Sequence, residues 1–217
     1  MIVRPSSTGF TALSALLVIA PAAPAQEACL KWSPRFAGGS GLLGSASELL
    51  AYDDGSGPKL YVAGQFGFAG GMPLQNVARY DGQAWSAVGA TGVQGKVNAL
   101  AIYNFDAGPR LVAAGASPLV AGSLLAQWNG TQWTPAPASP ASSFISSLGL
   151  YQGQLFISSP ITAAGINYIA RWTGAQWAGA GAGLNSVVWD QQVFDDGTGP
   201  CCWWPDCRSP TGSPTPA

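Results

Sequence analysis

Residues able to do chemistry are few in this chain and sit in unusual places. Three of the four cysteines, Cys201, Cys202 and Cys207, and two of the nine tryptophans fall within the seven residues "CCWWPDC". The spacing from Cys202 to Cys207 suits a thiolate zinc site, but the second ligand pair such a site needs is missing. A disulfide is the better reading for an exported chain, and Cys29 makes the cysteine count even. Histidine is absent. Its absence removes the commonest general base and the commonest metal ligand, and so excludes Ser-His-Asp catalysis, Cys-His catalysis and His-ligated zinc or copper within this chain. The two glutamates, Glu27 and Glu48, lie toward the N-terminus. No carboxylate pair of the kind used in glycoside hydrolysis stands out. Asp53-Asp54 and Asp195-Asp196 could present carboxylates and loop carbonyls to calcium. The corresponding places elsewhere read "NFDAG" and "QG", so a solvated turn is the better reading. No catalytic residue, cofactor or metal is expected, and the chain does not read as an enzyme.

Composition narrows the partners. Charged residues make up 9% of the 217 and the formal net charge is −1. Nucleic-acid binding would need a basic stripe, and a membrane-surface site a polybasic cluster. With 29 glycines, 17 prolines and nine tryptophans, the composition suits short strands joined by tight turns. At the N-terminus, Arg4, the apolar run Phe10 to Ala20 and Ala23-Pro24-Ala25 have the layout of a secretory signal. The expectation is a signal peptide over residues 1–25 and a mature chain starting at Gln26. The apolar run is shorter than the roughly 20 residues a membrane span requires. The expected location is therefore outside the cytoplasm (extracellular, cell-surface or periplasmic), without stable membrane insertion after cleavage.

The elements that would position any site come from an internal repeat. "ARYDGQAW", "AQWNGTQW" and "ARWTGAQW" are three versions of one phrase, and their closing residues Trp85, Trp133 and Trp177 lie 48 and 44 residues apart. A β-rich run precedes each phrase ("KLYVAGQF", "RLVAAGAS", "QLFISSPI"), and another precedes that ("SELLAYDDGSGP", "VNALAIYNFDAGP", "ISSLGLYQG"). Each unit thus holds four candidate strands. A further copy starts at "VVWDQQVFDDGTGP", and an earlier one ends in "LKWSPRFAGGSGLLG" with Trp32 as its closing tryptophan. Asp81-Gly82 and Asn129-Gly130, with Thr173-Gly174 in the same place, read as two-residue hairpin turns with positive φ at both positions. Ala78 and Tyr80 alternate with Arg79 and Asp81 as in a half-buried strand. Four short strands every 44 to 48 residues is the signature of a propeller blade. The fold expected is all-β: a β-propeller-like array of four-stranded antiparallel blades, about three full ones plus partial ones, and incomplete. The repeats span about 46–96, 97–143 and 144–186, with the start of a further one at 187–200. The structural positions are Tyr80 with Trp85, Trp128 with Trp133 and Trp172 with Trp177, and the turn glycines Gly82, Gly130 and Gly174. Aromatic pairs recurring at one place in each unit are expected to pack on the next blade rather than to stack on sugars. Gln191 falls where Leu100 stands in the second unit. It either lines a channel or marks an eroded copy.

The stretch "YDDGSGPKLYVAGQFGFAGGMPLQNVARYDGQAWSAVG" resembles the repeats of large exported bacterial proteins grouped with kelch and galactose-oxidase central-domain propellers. The likeness covers about residues 29 to 200. It is best in the first unit, with Ala69-Gly70-Gly71 and Pro73. The later units keep Ala121-Gly122 and Ala164-Gly165. The resemblance implies a propeller with an interaction role and carries no activity.

Against this repeat, "DDGTGP" should lead into something like "KLYVAG", yet "CCWWPD" follows. Read from the third base of the Cys201 codon, the same nucleotides encode Leu-Leu-Val-Ala and permit Gly next. Residues 201–217 are accordingly read as out-of-frame translation, with "SPTGSPTPA" too polar to fold. Three functions stay open. The first is a binding or structural module with a protein or glycan ligand. The second is a non-catalytic fragment of a carbohydrate-active or oxidoreductase-type enzyme. The third is a truncated product with no function. An unclosed array would also be open to edge-to-edge self-association.

Overall fold

The computed structural model describes residues 41–106, 108–163, 165–195 and 200–202, all within the compact unit Gly38–Ala217. The signal segment, Trp32, Cys29, Ala164, Asp196, Cys207 and the segment 203–217 lie outside the described residues. The described chain is all-β, with no helix.

Sheet I comprises β1 (Leu42–Asp53), β2 (Pro58–Ala69), β3 (Met72–Pro73), β4 (Val77–Tyr80) and β5 (Trp85–Ala87). Its order is β1-β2-β4-β5, and the two-residue β3 extends the end of β2. Sheet II is β6 (Val97–Tyr103), β7 (Arg110–Gly115), β8 (Leu125–Trp128) and β9 (Trp133–Pro135), in chain order. Sheet III is β10 (Ser147–Tyr151), β11 (Gln154–Ala163), β12 (Ile166–Trp172) and β13 (Trp177–Gly179), again in chain order. A hairpin of β14 (Val193–Asp195) and β15 (Pro200–Cys202) follows. Every strand pairing is antiparallel. Asp195 pairs with Pro200 as Asp53 pairs with Pro58, so the last hairpin has the register of the first.

Register shows which side chains share a face. In sheet I, Leu49, Val62, Ala78 and Ala87 form one row, and Ala51, Leu60, Tyr80 and Trp85 the next row on the same face. The row of Leu50, Tyr61, Arg79 and Ser86 lies on the other face. Sheets II and III repeat the first pattern with Leu100, Ala113 and Ala126, and with Leu148, Ile157 and Ala170.

These faces stack. One core joins Tyr61, Ala63 and Val77 of sheet I to Leu100, Leu111, Ala113, Trp128 and Trp133 of sheet II. A second joins Ala101, Val112 and Ala114 of sheet II to Leu148, Leu155, Ile157 and Trp172 of sheet III. Neighbouring residues of β7 thus point into different cores, as two-residue periodicity requires. Along the stretch read as alternating, Ala78 is buried, Arg79 and Tyr80 are half-buried and Asp81 is exposed. Just before it Val77 is buried too, in the core shared with sheet II, while Ala78 lies in a smaller core on the other face.

The hairpin turns differ from expectation as well. Tyr80 pairs with Trp85, Trp128 with Trp133 and Trp172 with Trp177, so four residues, not two, make each turn. Gly82, Gly130 and Gly174 all have φ +96, while no positive φ occurs at Asp81, Asn129 or Thr173. The side chains explain why. Asp81 Oδ1 accepts from the Gln83 and Ala84 amides, both at 2.8 Å. Asn129 Oδ1 accepts from those of Thr131 and Gln132, at 3.0 and 2.8 Å. Such an Asx turn needs only the glycine left-handed. A two-residue turn with both φ positive occurs instead at Gln152-Gly153, between β10 and β11.

Candidate functional site

The turn between β1 and β2 builds one wall of the site. Asp53 Oδ1 accepts from the amides of Gly55 and Gly57 at 2.8 and 3.0 Å and closes the loop. Asn104 does the same for Gly108 at 2.9 Å in the corresponding turn of sheet II. Equal turn lengths and the pairs Tyr52–Lys59 and Tyr103–Arg110 make Asp54 the counterpart of Phe105.

Asp54 is held from all sides. Its Oδ1 takes hydrogen bonds from the Ser56 amide at 3.1 Å, the Ser56 hydroxyl and Lys59 Nζ at 3.1 Å. Its Oδ2 takes them from Tyr61 Oη and Arg79 Nη1, both at 2.9 Å. The Ser56 hydroxyl bond and then those of Tyr61 and Lys59 hold the Asp54 carboxyl well below the usual carboxylate range, against the opposing effect of desolvation. Desolvation pushes the Tyr61 hydroxyl up to about 12, and its bond to Asp54 adds to this while Arg79 opposes it. With a lysine and an arginine on its oxygens, Asp54 is an ion-pair acceptor and not a vacant calcium ligand. Among the described residues no three His, Cys, Asp or Glu side chains gather.

Sheet II supplies the opposite wall, from Leu111, Trp128 and the Asn129-Gly130 turn. Between the walls is an open cleft of about 570 Å³, lined also by Tyr52, Ser56 and Pro109. That volume lies in the range of small-ligand sites. The Tyr52 hydroxyl crosses the joint to the Pro109 carbonyl at 3.4 Å. Asn129 of the Asn-Gly-Thr sequence has its Oδ1 committed to the turn, including a bond from Thr131 Oγ1 at 2.9 Å.

The six aromatic residues singled out from the sequence are brought together in pairs, each within one sheet. Ring centroids are 5.2 Å apart for Tyr80–Trp85, 5.7 Å for Trp128–Trp133 and 5.4 Å for Trp172–Trp177. The pairs of sheets II and III lie against the preceding sheet, not the following one. Trp133 Nε1 donates to Val88 O of the chain leaving sheet I at 2.8 Å. A Cβ on Gly89 would come within 3.1 Å of Trp128 and 3.3 Å of Trp133. Tyr80 and Trp85 have no preceding sheet among the described residues, and Trp85 packs on Val62, Phe66, Leu74 and Ala78.

The serines of sheet III carried no signal in the sequence. Ser146 and Ser147 donate to Val188 O at 2.6 and 3.1 Å, and the Val188 amide donates to Ser158 Oγ at 2.8 Å. These hydroxyls seat the segment leading to β14. Gln191 then fills the space left by the missing side chain of Gly149 and donates to Ser147 Oγ at 2.7 Å. Only the fold could reveal this, since serine is common in turns and the contact spans 44 residues.

Glu48 on β1 is half-buried and its pKa is raised, by desolvation first and also by the Asp190 charge, while a bond from the Leu49 amide opposes the shift. No protein-family model, curated protein or solved structure matches the chain.

Proposed function

We propose that this chain is a propeller-type segment of an exported protein, acting as a binding or structural module outside the cytoplasm, with a protein or glycan ligand at the turn end of its sheets. The cleft between sheets I and II carries the reading. It is open, of small-ligand size, and lined by hydroxyl, amide and aromatic groups together with the charged residues Asp54 and Arg110, at the end where the strand-joining turns gather. The propeller arrangement is supported by the stacking of like four-stranded sheets one on the next.

Pro109 is exposed on the rim of the cleft, and Pro109→Trp would block it. Binding of the unaltered chain to arrays of immobilised glycans and exported proteins, lost in Pro109→Trp, is the expected result. Equal binding by both chains would remove the cleft from the function. Export is checked separately by N-terminal sequencing of secreted product, which should start at Gln26.

A further inference from the structure

Among the described residues the most exposed large apolar side chain is that of Trp189, at 74%. Tryptophan is on average a well-buried residue, so the position asks for a reason. The repeat supplies none. Trp189 stands five residues before Phe194, where the other units have Ser47, Asn98 and Ser146 five residues before Tyr52, Tyr103 and Tyr151. Elsewhere, then, the stacking of sheets is served by a small polar residue at this place. The ring is nonetheless held. It lies nearly parallel to that of Phe144, with 12° between the planes and 6.0 Å between centroids. The residue before it is tied at both backbone groups: Ser146 Oγ and Ser147 Oγ donate to Val188 O, and the Val188 amide donates to Ser158 Oγ. Ser159 Oγ donates to Phe144 O at 2.6 Å. The two rings form a flat aromatic step on fixed backbone, beside the start of β10. That is the end of sheet III away from the turn after Tyr151, whereas the cleft lies at the corresponding turns of sheets I and II.

We infer that Trp189 and Phe144 form a stacking site for a neutral pyranose of a glycan chain, at the end of the sheets opposite the cleft. Size, chemistry and charge choose that occupant. A tryptophan offers roughly 150–250 Å², far short of the roughly 800 Å² that each partner gives to a stable protein interface. One sugar ring is of matching size. Its C–H bonds make an apolar face that the electron-rich face of the indole attracts, and its hydroxyls need hydrogen-bonding groups around the ring. Ser142, Ser143, Asn185, Ser186 and Asp190 flank the two aromatic residues in the chain and are exposed. Asp190 Oδ1 accepts from the Gln191 amide at 2.8 Å, while Oδ2 takes no hydrogen bond among the described residues and is left to a sugar hydroxyl. An anionic lipid surface or a nucleic acid would need cations here. Neither 142–147 nor 185–192 contains lysine or arginine, and the Asp190 charge opposes acidic sugars as well.

Isothermal titration calorimetry of cellohexaose, laminarihexaose and mannohexaose into the full chain tests it. The expected result is saturable binding of at least one of them. It should weaken about tenfold or more in Trp189→Ala and stay within about threefold in Trp189→Tyr, which keeps a stacking ring. Trp189 is exposed, so neither change threatens the fold, and circular dichroism checks this. Pro109→Trp, which closes the cleft, should leave this binding unchanged, so the two sites stand or fail separately. Binding kept in Trp189→Ala and lost in Pro109→Trp would move the sugar to the cleft and overturn the inference. It is overturned too if none of the three sugars binds, or if Trp189 is needed instead for binding phosphatidylcholine vesicles, which would make it a membrane contact.

Discussion

The joint between sheets I and II and the joint between sheets II and III are built from the same rows, yet they end differently at the turn side. In the second joint, Phe105 meets Trp172 edge-on at 5.8 Å and Tyr103 at 4.9 Å, and the space is filled. In the first, Asp54 stands where Phe105 would, and Lys59 and Arg79 hold it back from Trp128. A cleft results. One substitution of aromatic by acid, with two cations to receive it, separates a packed joint from an open one. The polar accounting runs the other way. Trp133 Nε1 reaches Val88 O across the first joint, whereas Trp172 Nε1 and Trp177 Nε1 are buried at the second without a partner among the described residues.

The largest effect should come from removing an aromatic that closes a joint. Trp133→Ala is expected to cost about 3–5 kcal/mol in urea unfolding. Trp85→Ala, in the smaller core of sheet I where the ring is half-buried, should cost less than half as much; equal costs would mean that the joints do not carry the stability. Next comes Phe105→Asp, which would recreate the first joint's acid with Arg110 in the place of Lys59 but Gln127 in that of Arg79. A loss of about 2–4 kcal/mol is expected from the lost ring contacts and from a charge left short of one partner, and no loss would refute the comparison of Asp54 with Phe105. A smaller difference separates two conservative changes. Trp133→Phe leaves Val88 O unpaired and should exceed Trp177→Phe by about 1–3 kcal/mol, since the latter removes an unsatisfied donor.

The smallest effects concern pH, and their signs are opposite. Asp54 is depressed in the folded chain, so its contribution is complete above the ordinary carboxylate value of about 4 and is lost on acidification below it. Asp54→Asn should therefore lower stability at neutral pH and flatten the acid limb of the profile. Glu48 is raised, so its charged form is a cost above the folded value that acidification relieves. Glu48→Gln should raise Tm by roughly 1–2 °C at neutral pH, after allowance for solvent screening, and the gain should vanish below about pH 4. Thermal melts at several pH values check both, and a gain that persists in acid would show that its source is not ionisation.

Some of this was legible in the residues. The phrase from Arg79 to Trp85 carries its hairpin, because Asp and Gly are turn formers wherever they meet. The length of that turn was not, since Asp81 can serve either as a left-handed residue or as an acceptor for the next amides, and composition does not distinguish the two. The cleft was harder still. Asp53-Asp54 reads as a turn, and nothing local says that Arg79, 25 residues away, will draw Asp54 off the aromatic wall. Gln191 was recognised as out of place, but its explanation lies in Gly149, on another strand.

The amino-acid order by itself determined that four strands would form, turn and recur, because alternation, Asx-Gly turns and paired aromatics act over fewer than ten residues. It did not determine which face of each sheet would meet which neighbour, or where a joint would stay open. Those depend on register between strands and on stacking between sheets, and a side chain changes face with a shift of a single residue. Only the assembled structure selects among such registers, because only there do the rows of one sheet meet the rows of the next.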